Sequence, residues 1–300
     1  MSAVIQIYQP DRRTYLGGSD TAAILGISPW KTAYQLWCQK VGIIPEKEDT
    51  EKAKIFARGK RLEPVVLAMM EDEGLIKVTA RGQRYQDAEL DYLAAEIDAE
   101  SGSDNVEIKT VSHYADKDWG EPGTDDIPIY YAAQVMHGLM VTGRERCIVG
   151  ALIGLDDLRV YEVRRDDDLI ASIRQREIEF WRLVQEQTPP PIESAEDATF
   201  AWPQSDDSAV EATMDLVGKA DELLSIKRAI KEMESREEEL KGSIMAYMQE
   251  HERLTFSGKT LASWKTQTAR RLDQKALAAA HPDLVEQFKI VSTSRVFRLK

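Results

Sequence analysis

The stretch from Ala95 to Thr110 reads AEIDAESGSDNVEIKT and sets two carboxylates and an amine in order: Asp98, Glu107 and Lys109. Side chains along a strand alternate between faces. Glu107 and Lys109 therefore share one face, while Val106 and Ile108 point into the layer behind. If the run through Ile97 pairs with this strand across a turn at Ser101 to Asn105, Asp98 reaches the same end. Two carboxylates so close raise each other's pKa unless a cation stands between them. A hard divalent ion such as magnesium, with manganese as a substitute, relieves that repulsion, polarises a phosphodiester and generates hydroxide from bound water. Lys109 adds positive charge where the transition state develops negative charge. Acid, acid and lysine in this order suit phosphodiester hydrolysis. An EF-hand fails at its most demanding positions: counted from Asp98, the sixth residue is Ser103 rather than glycine and the twelfth is Lys109 rather than glutamate. A solvated hairpin with incidental charge remains the competing reading.

A second arrangement suits anions. In LGGSDTAAILGISPWKTAYQLW, Gly17 and Gly18 precede Ser19 at a helix start, where free N–H groups and the helix dipole favour phosphate. Arg12 or Arg13 would add a forked, charge-assisted contact. An ordinary N-cap role for Ser19 fits the segment equally well. Lys52, Lys54, Arg58, Lys60 and Arg61 form a basic helix end leading into Glu63, either a solvated face or a rim that tracks phosphates. His113, His137, His251 and His281 lack metal-ligand spacing and read as structural. Trp30 and Trp37 read first as core, although an exposed Trp30 or Lys31 could touch DNA.

These residues need a scaffold of mixed elements. A short helix runs from Ser19 through Ile24, and a second starts at Ser28, with Pro29 in its first position and Gly42 past its end. A third spans about Glu51 to Glu73. Strands follow at Val78–Tyr85, Tyr92–Asp98 and Val106–Thr110. Then come a helix over Ile127–Val141, an antiparallel pair flanking the turn at Leu155 to Asp157, and a long helix opened by Asp166. The pattern predicts an α/β (α+β) core, a central mixed sheet flanked by helices.

Three hundred residues leave room for an appendage. Pro189, Pro190 and Pro191 mark a boundary, giving a main domain over 1–192, a linker over 193–209 and a C-terminal module over 210–300. That module opens with a heptad-like seam, Ile226, Ile230, Met233, Glu237, Leu240, Ile244 and Tyr247, suited to a helical hairpin or a partner surface. It continues with a β-hairpin at Ser257 and Gly258, a helical stretch, and STSRVFRLK as a basic final strand. Net charge of −13 excludes coating of nucleic acid by bulk charge, though not a local basic groove. Two cysteines, Cys38 and Cys147, cannot build a disulfide framework or a four-cysteine metal site. No run approaches the ~20 apolar residues of a membrane span and the N-terminus lacks a signal peptide, so a cytoplasmic setting is expected.

Gly59, Lys60, Arg61, Leu62 and Glu63 on a helix, then Asp98, then Glu107-Ile108-Lys109, then Tyr131 and Gln134 on a later helix follow a recognisable order. With the opening LGGSDTAAILGISPWKTAYQLW, it resembles the nuclease core of the YqaJ-type phage recombinases. These are relatives of lambda exonuclease in the PD-(D/E)xK, restriction-endonuclease-like superfamily, and the resemblance covers about Arg12 to Ile192. It implies that Asp98 and Glu107 bind metal, that Lys109 is the catalytic lysine, and that Glu63 assists the metal or the water. It further implies that Gln134 closes the constellation with Tyr131 nearby, and that Arg12 and Ser19 bind a terminal 5′-phosphate. Ile97 stands where the superfamily name has proline, and the two acids lie one residue closer than in lambda exonuclease.

The activity so implied is 5′-to-3′ digestion of linear double-stranded DNA, leaving 3′ single strands for recombination in a phage- or prophage-bearing cell. A ring-shaped trimer and a single-strand annealing partner are implied with it. An endonuclease or resolvase on the same fold would share Asp98, Glu107 and Lys109. A non-catalytic coiled-coil interaction protein would use only the heptad seam.

Overall fold

In the computed structural model, which describes residues 11–43, 50–290 and 293–299, a 3-10 turn over Arg12–Thr14 leads into helix α1 (Gly18–Ile24). Its N-cap is Gly17, and Asp20 closes the start by accepting from Gly17 N–H at 3.2 Å. Ser19, expected at the cap, therefore lies inside the first turn. Helix α2 (Ala33–Lys40) begins later than expected, because Thr32 and Gln35 form a reciprocal capping box that Ser28 lacks. The Ser28 hydroxyl instead accepts from the backbones of Trp30 and Lys31, which tightens the turn.

Helix α3 (Thr50–Asp72) carries Pro64 in its interior, which withdraws one intrahelical bond just after Glu63. Strands β1 (Val78–Gln86), β2 (Ala94–Ser101) and β3 (Asp104–Val111) form an antiparallel meander. Helix α4 (Ile129–Thr142) then crosses over, stopping at Gly143 in the left-handed conformation at φ 68°. Strand β4 (Arg146–Ile153) returns parallel to β3, and β5 (Asp157–Arg164) pairs antiparallel with it. The five-stranded mixed sheet runs in the order β1-β2-β3-β4-β5.

Helices cover both faces of this sheet, as the sequence pattern requires. On one face Val66, Leu67 and Met70 of α3 pack on Val106 and Ile108 of β3 and Ile148 and Leu152 of β4. A side chain at Gly150 would run into Met70 Sδ, so glycine there lets α3 approach the strand. On the other face α1, α2, α4 and helix α5 (Asp167–Gln185) enclose the larger core, with Leu16, Leu36, Leu139, Tyr161 and Ile173 almost wholly buried.

The chain divides into two compact units between Ala201 and Trp202, inside the stretch read as linker, and helix α6 (Ala195–Ala201) belongs to the first. Its Asp197 is buried and accepts from Thr32 Oγ1 at 2.9 Å. In the second unit one helix, α7 (Met214–Met248), replaces the helical hairpin allowed by the sequence, and most of its apolar seam is exposed. Strands β6 (Arg253–Phe256) and β7 (Lys259–Ser263) form the expected hairpin, followed by helices α8 (Gln274–Ala280) and α9 (Pro282–Gln287). Among the described residues β6 and β7 pair only with each other, and the described part of STSRVFRLK, expected as a strand, forms none.

Candidate active site

Asp98, Glu107 and Lys109 meet where β2 and β3 part. The antiparallel ladder reaches Ala99 opposite Val106. Beyond it the Asp98 carboxylate takes the strand's hydrogen bond, with Oδ2 accepting from Ile108 N–H at 2.8 Å. The turn is shorter than expected, confined to Gly102 and Ser103 between Ser101 and Asp104. On its other edge β3 stays paired with β4, Glu107 opposite Val149 and Lys109 opposite Ala151. That support fixes both side chains on the open face.

There Lys109 Nζ donates to Glu107 Oε1 at 2.7 Å and to Gln134 Oε1 at 3.0 Å, and Gln134 Nε2 donates to the same Glu107 oxygen at 2.6 Å. Three groups close a ring, with Gln134 contributed by α4. Lys109 Nζ also lies 4.6 Å from the centre of the Tyr131 ring, one turn earlier on that helix.

Charge in this corner is unbalanced toward the acids. Burial first, and then the Glu107 carboxylate, push Asp98 up to about 7, with Glu63 adding to the effect. Burial works against the charge of Lys109, but Glu107 and Asp98 outweigh it, and its pKa is raised. Lys109 is thus an ammonium at neutral pH and unsuited to act as a base. Among the described residues no donor faces Asp98 Oδ1 or Glu107 Oε2. Two carboxylates with one free oxygen each fit a small hard cation that keeps water or phosphate in its remaining positions. Among the described residues, no three His, Cys, Asp or Glu side chains gather closely enough to hold a metal alone. Glu63 pairs with Lys60 at 3.3 Å and acts on Asp98 through its charge.

The second arrangement opens into the same space. Arg12, Gly18, Ser19, Asp98, Glu107 and Gln134 all line one cavity of about 180 Å³. Arg12 Nη2 donates to Ser19 Oγ at 3.0 Å and to Asp20 Oδ2 at 3.2 Å, and Nη1 donates to the Tyr15 hydroxyl at 3.0 Å. Arg13 points away and forms a forked pair with Asp11. Of the two arginines, only Arg12 reaches the cavity. The helix start is also less bare than the sequence implies, because Asp20 already occupies the Gly17 N–H.

Gly18 also has a packing role. A Cβ there would come within 3.0 Å of Gln134 Cγ and 3.1 Å of Gln134 O, so glycine lets α1 rest against the site helix. Asp20 was missed by sequence reasoning, although an acid three residues past a cap is a known signal. It is wholly buried and holds Arg12, Lys31 and Lys40 at 3.2, 3.1 and 2.8 Å. Those cations keep its pKa well below the usual carboxylate range despite the opposing effect of burial, which is the larger single influence. Lys40 in turn donates to the backbone oxygens of Arg12 and Tyr15, which fixes the loop that presents Arg12. His137 is structural, as expected. It lies buried between Glu177 at 2.8 Å and the Ala94 carbonyl at 3.0 Å, and Thr21 donates to the same Glu177 oxygen.

A model of the YqaJ-like viral recombinase domain matches residues 7–145. The Bacillus subtilis (strain 168) protein YqaJ is 31% identical over 300 residues, covering 97% of this chain and 92% of its own. The chain belongs to the YqaJ-like viral recombinase family. Among solved structures, the alkaline exonuclease LHK-Exo from Laribacter hongkongensis aligns at 22% identity and a TM-score of 0.47, over 59% of this chain and 91% of its own. A phage-related exonuclease from Haemophilus somnus 129PT aligns at 14% identity and a TM-score of 0.34, over 58% of this chain and 96% of its own. The YqaJ match spans nearly the whole chain, whereas the domain model ends at Glu145, before β4 and β5. No helix among the described residues is long and apolar enough to cross a membrane.

Proposed function

We propose that this YqaJ-family protein is a metal-dependent exonuclease that digests linear double-stranded DNA from a 5′ end and leaves 3′ single strands for phage-type recombination. One observation carries the reading: a single cavity joins Arg12 and Ser19 to Asp98, Glu107 and Gln134, with Lys109 beside the carboxylates. Arg12 and Ser19 hold the terminal phosphate of the strand being degraded, and the carboxylates mark the bond to be cut. Both arrangements are required for an enzyme that works from an end. An endonuclease needs only the Asp98, Glu107 and Lys109 arrangement.

A magnesium or manganese ion between Asp98 and Glu107 would polarise the scissile phosphate and lower the pKa of the attacking water. The chain's own groups do the rest. Lys109, held as an ammonium, faces the phosphate oxygens and stabilises the charge that develops there. Gln134 fixes Glu107 Oε1 and Lys109 Nζ together, leaving Glu107 Oε2 for the cation. Glu63 adds negative charge near Asp98 and so strengthens cation binding. Tyr131 backs the ammonium through its ring face. A homo-oligomeric ring, a single-strand annealing partner and a cytoplasmic setting in a phage- or prophage-bearing cell are the expected context, supported by family membership.

The experiment is digestion of a linear duplex in magnesium, comparing 5′-phosphate with 5′-hydroxyl ends and closed circles. Faster loss of the phosphorylated end, intact circles and inactivity of Lys109→Ala are expected. Nicking of circles would favour the endonuclease, and full activity of Lys109→Ala would remove the site assignment.

A further inference from the structure

Single exposed aromatic residues are common and need no explanation. Trp30 differs in what stands behind it and where it lies. It is 56% exposed, yet its ring centre is 4.9 Å from that of Tyr130, edge-on, and 5.9 Å from that of Tyr131. Tyr130 and Tyr131 contact each other at 4.6 Å, and Tyr131 leans on the buried Trp119 at 5.7 Å. The indole is therefore braced by two tyrosines while more than half of its surface stays open to solvent. Its backbone is held as well, since Trp30 N–H donates to Ser28 Oγ and Pro29 precedes it.

Trp30 does not itself line the cavity, but chains of contact link it to both of the cavity's functional groups. Through Tyr131, Trp30 is two ring contacts from the Lys109 ammonium. Through its neighbour Lys31, which reaches Asp20 at 3.1 Å, it adjoins the carboxylate that also holds Arg12. A DNA strand whose phosphates lie at Arg12 and at Lys109 would carry a base near this ledge. An interior paired base keeps both faces inside the duplex stack, so apart from the outer face of the terminal pair only an unpaired base offers a face to the indole. Aromatic stacking tolerates any sequence because every base has a π-face.

We infer that Trp30, braced by Tyr130 and Tyr131, is a stacking platform for an unpaired nucleobase near the end of the strand held at the cavity. The inference rests on the nuclease reading for the direction of the strand, but the stacking itself does not require cleavage. A rigid platform compensates for the stacking lost when a terminal base leaves its partner. Opening the end is thereby coupled to seating the phosphates.

The test places 2-aminopurine at the 5′-terminal position of a duplex with two mismatched terminal pairs. The full chain is added in calcium, with a second dye at the far end to report binding. Wild type and Trp30→Phe should quench the 2-aminopurine, whereas Trp30→Ala should leave it bright while binding the same end. In magnesium, Trp30→Ala should digest fully paired ends about tenfold more slowly than wild type, in line with the worth of one stacked base, and mismatched ends less than threefold more slowly. Equal quenching by Trp30→Ala and wild type, or no quenching by wild type, overturns the platform. Failure of the nuclease reading appears separately, as absence of magnesium-dependent DNA loss by wild type whatever the quenching result.

Discussion

Replacing Gly18 by alanine tests whether the site depends on how closely α1 approaches α4. The new Cβ would come 3.0 Å from Gln134 Cγ and 3.1 Å from Gln134 O, about half an ångström inside the ~3.5 Å of ordinary carbon contact. The carbonyl is part of the helix and cannot swing aside, so α4 must retreat or Gln134 must turn. Either motion lengthens its bonds to Glu107 at 2.6 Å and Lys109 at 3.0 Å. A misplacement of ~1 Å near reacting groups costs on the order of a hundredfold in rate, so half of that predicts about a tenfold loss. Overpacking costs roughly 1–3 kcal/mol, and removing a glycine from a helix returns up to about 1 kcal/mol. Stability should therefore fall by only about 1 kcal/mol, a Tm shift of a few degrees for a unit of this size. Single-turnover digestion in saturating magnesium reads the rate, and calorimetry reads the fold. Gln134→Ala should lose about a hundredfold, and adding Gly18→Ala to it should slow the reaction no further, since the two changes act through the same bonds. A Gly18→Ala rate within twofold of wild type, or fully additive losses in the double variant, would refute the reasoning.

Three further outcomes follow from the charges. Magnesium should raise the Tm of the wild type by relieving the strain between Asp98 and Glu107, and Asp98→Asn should abolish most of that shift while remaining folded; an undiminished shift would place the cation elsewhere. Asp20 is held ionised by Arg12, Lys31 and Lys40, so its folded pKa lies below its unfolded value of 3.8. Its contribution is then complete above about pH 4 and fades as pH falls further. Asp20→Asn should cost about 3–5 kcal/mol at pH 7 by leaving buried cations unpaired, and its Tm should converge on the wild-type curve in acid; parallel curves would count against the assignment. His137 is the opposite case. Burial disfavours its charge, but Glu177 and the Ala94 carbonyl outweigh this and raise its pKa. Its ionic contribution is full below about pH 6.5 and is lost as pH rises through the raised value. A His137→Gln variant should lack that decline in a pH series of Tm.

Local rules carried much of this protein. Strand periodicity put Glu107 and Lys109 on one face with Val106 and Ile108 behind them, because alternation is a property of the backbone alone. Glycine and capping residues placed the helices, failing at Ser28 because the Thr32–Gln35 box further along is the stronger start. Residue order gave the family, since motifs in sequence survive changes in the loops between them. Three matters needed the folded chain. Asp98 joins Glu107 because β2 and β3 separate after Ala99 and its carboxylate takes the Ile108 N–H, a choice between ladder and side chain that strand pattern does not encode. Arg12 rather than Arg13 faces the cavity because Asp11 captures its neighbour and Asp20, fixed by Lys31 and Lys40, captures it. Gly18 and Trp30 acquire their places only when α1 and the turn before α2 pack against α4. Contacts between residues a hundred positions apart depend on which surfaces the whole core brings together, and no local window contains that information.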